Sequence, residues 1–138
     1  MLAGPIYTAC APGEVTFRQL FAEPDRFSGK TISLEGFYFN GFEASIFCEE
    51  LKLSGYAEGH LVPASEGPWV NGGVPRDIYD NLYIQKMMGP EERYGKLRIT
   101  GVFEYGDRYG HMGAYSSQIT VSEAELLPWT PQQPDDNG

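Results

Sequence analysis

The chain has 138 residues, which suits one domain with its own core. Its formal net charge is −9 and its ten Lys and Arg are scattered singly, which weighs against a polyanionic partner. Seventeen Gly and ten Pro favour short strands and many turns over long helices, and no stretch approaches transmembrane length.

Met1 to Gly13 reads as an N-terminal arm punctuated by Pro5, Pro12 and Gly13. It has no basic leader and no apolar run of signal-peptide length, so the expected compartment is the cytoplasm. The alternative is an exported or lipid-anchored protein whose precursor has been trimmed, because Tyr7-Thr8-Ala9-Cys10 resembles the small-residue box before a lipidated cysteine. One disulfide, Cys10 to Cys48, is arithmetically open in an oxidising compartment. No Cys-x-x-Cys pattern signals zinc, and no metal or other cofactor is expected.

Residues 14–129 read as a single domain. Thr16 is placed to cap a short helix through Glu23, with Phe17, Leu20 and Phe21 inward and Pro24 ending it. Lys30 to Asn40 alternates Ile32 and Leu34 with polar residues, then reaches Gly36 and Phe37-Tyr38-Phe39, which predicts a strand bent at the glycine. Asn40-Gly41 is a hairpin signal, and Glu43 to Glu49 returns as a strand carrying Ala44, Ile46 and Cys48 on one face. Glu49 to Gly67 is loop-like with a short strand at Leu61-Val62, and Pro68-Trp69-Val70 is the third core strand. Pro75 to Met88 is the best helix, and a strand over Leu82 to Gln85 is the competing reading.

Lys96 to Val121 reads as strand, glycine-rich turn, strand, with Gly101 interrupting the first strand as Gly36 interrupts the earlier one. Ser122 to Trp129 either opens with a capping box or continues the last strand. Thr130 to Gly138 has no apolar anchor and is expected to be a disordered C-terminal tail. The fold class predicted is mainly β with one or two short helices. Its architecture is a five-stranded OB-like antiparallel barrel with a helix between the third and fourth strands.

Residues 17–47 (FRQLFAEPDRFSGKTISLEGFYFNGFEASIF) resemble the opening of a group of small uncharacterised bacterial OB-fold-like proteins. The resemblance resumes near the end, at Gly101, Phe103, the Gly110-His111-Met112-Gly113 turn, Tyr115 and Ser116, with Tyr115 one position later than the group's aromatic. Leu51 to Arg93 is not covered. The resemblance implies the fold and carries no activity with it. Some relatives bear export or lipoprotein signals, which this chain does not show.

His111 is the titratable residue of the glycine turn, and a lone His between glycines suits backbone capping better than catalysis. Glu49-Glu50 and Glu91-Glu92 read as solvated pairs rather than a cation site. Gly106 to Gly110 lacks the Gly-Lys-Ser/Thr of a phosphate loop, and no Ser, His and Asp grouping has nucleophile-elbow context. Tyr38, Phe39, Tyr105, Tyr109, His111 and Tyr115 remain as ligand-binding candidates on the strands and turns. The expectation is a non-catalytic module binding a protein or a small ligand. One alternative is a single-stranded nucleic-acid binder using Arg93, Lys96, Arg98 and Arg108; another is a small enzyme built on His111.

Overall fold

The computed structural model describes residues 13–86 and 89–131. The arm through Pro12, the Cys10–Cys48 pairing, Met87 and Met88, and the tail from Gln132 lie outside the described residues. In chain order the elements are β1 (Glu14–Val15), α1 (Phe17–Ala22), α2 (Pro24–Phe27), β2 (Thr31–Gly41), β3 (Ala44–Cys48), β4 (Leu51–Leu53) and β5 (Leu61–Pro63). There follow β6 (Trp69–Asn71), α3 (Arg76–Tyr79), β7 (Tyr83–Gln85), β8 (Glu92–Tyr109), a single 3-10 turn (His111–Gly113) and β9 (Tyr115–Leu126).

Among the described residues the protein is mainly β with three short helices. Thr16 caps α1 by accepting from the Gln19 N–H at 3.1 Å, while the Gln19 side chain accepts from the Thr16 N–H at 2.9 Å. Pro24 does more than end α1: its fixed φ suits a first helical turn, and α2 starts on it. Phe17 and Leu20 are buried as expected, but Phe21 is half exposed.

The strands form a ring. β2 pairs with β3, β3 with β6, β6 with β9, β9 with β8, and β8 returns to β2. β1 and β7 extend the sheet at its two edges, and β4 and β5 form a separate two-stranded sheet. The expectation of an antiparallel sheet needs correction, because the sheet is mixed. β6 runs parallel to β9, with Trp69 opposite Gln118 and Asn71 opposite Thr120, and β1 runs parallel to β2. A hairpin forces antiparallel pairing, whereas β6 and β9 are joined through α3, β7 and β8 and are free of that constraint.

Three further expectations change. The helix predicted over Pro75 to Met88 stops at Tyr79; Asn81 closes it by donating to Asp77 O at 2.7 Å, and Tyr83 to Gln85 is the strand of the competing reading. Tyr83 and Ile84 suit a pleated surface, and Tyr83 lies opposite Tyr94 of β8. The hairpin turn between β2 and β3 falls at Phe42-Glu43 rather than Asn40-Gly41, since Gly41 is still paired with Ala44. The two interrupting glycines also differ in role. A register shift marks Gly101, where an added Cβ would meet Thr120 O at 2.2 Å. Gly36 sits in unbroken register opposite Leu97, and it is required for space beside the Phe17 and Phe47 rings.

Two apolar cores result. The main one fills the ring with Ile32, Leu34, Phe47, Val70, Leu97, Ile99, Phe103 and Ile119, closed by Phe17 and Leu20 of α1. The second gathers Phe39, Ile46, Leu61 and Tyr94 with Tyr115 and Trp129 packed against them. Because side chains alternate along β2, Tyr38 enters the first core and Phe39 the second.

Candidate functional site

The six sequence candidates do not converge on one surface. Tyr38 is 1% exposed and its hydroxyl lies 3.2 Å from Ser45 Oγ and accepts from Asn40 Nδ2 at 3.1 Å. Ser45 Oγ in turn donates to Val70 O at 3.0 Å, so this is a satisfied interior chain, and burial pushes the phenol's pKa up. Phe39 is equally interior, in the second core. Neither ring has a surface to offer a ligand.

Tyr105, Tyr109, His111 and Tyr115 lie at the β8–β9 end of the ring. Tyr109 faces Tyr115 across the two strands. The Tyr115 ring is 5.2 Å from that of Trp69, and burial raises its phenol pKa. His111 Nε2 stands 3.3 Å from Glu43 Oε2, which joins the 3-10 turn to the β2–β3 turn. A carboxylate is therefore within reach of His111, but both side chains are well exposed and neither lines the clefts described below.

Two adjoining clefts do lie beside this end. One, of about 200 Å³, is lined by Leu20, Phe21, Phe103 and Tyr105 together with Ser116 and Ser117. The other, of about 550 Å³, lies over Ile46, Pro63, Ala64, Ala114 and Tyr115. They share Glu66, Gly67 and Ser116, so together they form one groove along the start of β9. Gly67 makes the groove possible: its backbone presses onto β3 so closely that a Cβ would stand 1.8 Å from Phe47 O. The ring is thin here, since β3 and β6 meet at the single pair Ile46–Trp69. Tyr105 and Tyr115 were legible as candidates from the sequence; Phe21, Glu66, Ser116 and Ser117 were not.

Of the four basic candidates the three arginines are engaged, while the Lys96 side chain takes no ion pair among the described residues. Arg93 bonds Glu91 at 2.9 Å and lies over the Tyr79 ring, 4.6 Å from its centre. Arg98 is held between Glu35 and Glu125, and these partners hold its pKa up. Arg108 donates to Gly113 O at 3.3 Å.

A buried polar network also escaped the sequence reading. His60 is 6% exposed, with Nδ1 2.8 Å from Ser54 Oγ and Nε2 2.7 Å from Glu92 Oε1. An ionised carboxylate only accepts, so Nε2 donates to Glu92, and Nδ1 is paired with the Ser54 hydroxyl. Ser54 Oγ also accepts from the Tyr56 N–H at 3.1 Å. Gln85 donates to Glu92 at 2.9 Å and to Leu61 O at 2.7 Å, and its carbonyl accepts from the Leu61 N–H at 3.0 Å. The side-chain amide thus pairs with β5 as a strand would. Both imidazole nitrogens are engaged in the interior, so the network anchors the β4–β5 hairpin to β7 and β8. Ser54 and His60 are close in sequence, but nothing there points to Glu92.

Among the described residues no group of three or more His, Cys, Asp or Glu is placed to hold a metal ion, and no helix is long and apolar enough to cross a membrane. No protein-family model, curated protein or solved structure matches the chain.

Proposed function

We propose that the ring is an OB-type barrel, as the resemblance to the bacterial OB-like group suggests, and that the chain is a non-catalytic binding module for a protein segment or a small ligand. The strand order supports the fold reading: the first ring strand, β2, pairs with the fourth, β8, and the third, β6, runs parallel to the fifth, β9. α3 falls between the third and fourth.

The observation that carries the binding reading is the joined groove at the start of β9. Half-buried aromatic walls with a few polar groups at the rim are the usual make-up of a binding cleft. Phe21 is 50% exposed and Tyr105 36%, although each is a large ring that packing would ordinarily cover. Glu66 supplies the shared charge, and with a net charge of −9 it favours a neutral or cationic ligand over an anionic one.

The test is an NMR screen of isotopically labelled protein against a fragment library together with lysine-containing peptides. Binders should shift the amides of Phe21, Glu66, Ser116 and Ser117, and Phe21→Ala with Tyr105→Ala should weaken them roughly tenfold. Binders that move only amides elsewhere would sink the reading. An oligonucleotide at low salt should give no mobility shift, because the arginines a phosphate needs are already bound to carboxylates or backbone.

A further inference from the structure

A second surface, at the β7 edge of the sheet, has a different character. β7 is its last strand: Tyr83, Ile84 and Gln85 pair with β8 on one side. Among the described residues their other backbone edge takes no hydrogen bond. Ile84 is 54% and Tyr83 37% exposed. Tyr83 stacks on Tyr94, at 5.8 Å, and meets the Trp129 ring edge-on at the same distance. Trp129 leads on to a shallow groove of about 500 Å³ lined by Phe37, Leu51, Leu53 and Leu61, in which Leu53 is 59% exposed. Free backbone edge and apolar side chains are therefore continuous.

Edge strands in monomers are ordinarily protected by a charge, a proline or a bulge. β1, at the other edge, is two residues long and carries Glu14. Tyr83-Ile84-Gln85 is also short, but it carries no charge, proline or bulge within its length, although Lys86 follows it.

We infer that this face is the contact between two copies of the chain, with β7 pairing antiparallel to the partner's β7 about a twofold axis at Ile84. The chemistry favours a second copy over another partner on two grounds. An antiparallel pairing centred on Ile84 is self-complementary: Ile84 meets the partner's Ile84, and Tyr83 meets the partner's Gln85. The charges at the margin are also balanced in sign, Glu50 beside Lys52 and Glu91 bound to Arg93, so two copies can approach here without opposing carboxylates, on a molecule of net charge −9. Three paired residues are too few for a stable dimer, which needs roughly 800 Å² from each partner, so the contact has to extend over the Tyr83–Trp129–Leu53 surface.

The test is sedimentation equilibrium of the full chain across a wide concentration range. The wild type is expected at twice the chain mass at high micromolar concentration, and the dimer should tighten as salt screens the like charge. Ile84→Asp, which acts twice in a twofold contact, should raise the dissociation constant at least about a hundredfold. Leu53→Lys should weaken it less, and Phe42→Ala, at the exposed β2–β3 turn, should leave it unchanged. Thermal melts of the monomeric variants check that each remains folded. A wild type that stays monomeric throughout, or an Ile84→Asp variant that remains dimeric, overturns the proposal.

Discussion

Three residues make the energetics testable one at a time. Gly101→Ala places a Cβ 2.2 Å from Thr120 O, a backbone atom held in the β8–β9 pairing. That contact can relax only by moving a strand, so the expected loss is about 3 kcal/mol or more in a urea titration. His60→Ala leaves Glu92 and Ser54 without their imidazole partner in a largely closed space; the expected loss is about 2–4 kcal/mol by the same titration. Cys48 is a free thiol, 0% exposed, that donates to Glu50 O at 3.3 Å, and burial raises its pKa to about 12. A thiol whose folded pKa exceeds its ordinary value of 9.0 keeps its contribution to stability below pH 9 and loses it as pH rises toward 12. In a Cys10→Ser background the native protein should therefore resist a thiol reagent at pH 8 and react fully once unfolded.

At the scale of elements, the reading of the sequence succeeded where alternation was long and failed where three residues decided the outcome. β2 is eleven residues long and its apolar alternation outweighs anything local; in β9, of twelve residues, the pattern carries only to Val121, and beyond it the sequence leaves a helix start at Ser122 open. β7 has three residues next to a helical signal in Pro75 and Asp77, and it becomes a strand because β8 extends far enough toward its own start to pair with it. The candidate groove was half legible for a related reason. Tyr105 and Tyr115 sit on strands whose direction could be read, whereas Glu66 and Gly67 come from a segment whose path depends on a close approach to Phe47. The hairpin of β4 and β5 belongs to the same class: its attachment runs through Gln85, distant in sequence. Gln85→Ala should loosen it although the His60–Glu92 bond remains, and hydrogen exchange should show the Leu61 amide losing protection while Ile99 and Ile119 keep theirs.

At the scale of the whole molecule, most of the organisation passes through β8. Its eighteen residues pair with β2, β7 and β9, so one strand belongs to early, middle and late parts of the chain at once. Such long-range pairing predicts slow folding for a chain of this length, on a millisecond-to-second scale by stopped-flow fluorescence of Trp69 and Trp129. It also bears on synthesis. As the chain leaves the ribosome, β2 and β8 can join once Tyr109 has emerged, but the ring stays open until Leu126 is free. Between those moments the stretch of β8 from Leu97 to Tyr109 has a bare edge and an unroofed apolar face at the mouth of the exit tunnel. That interval is when a nascent chain of this design is most exposed to wrong partners, and therefore when a chaperone would have most to shield.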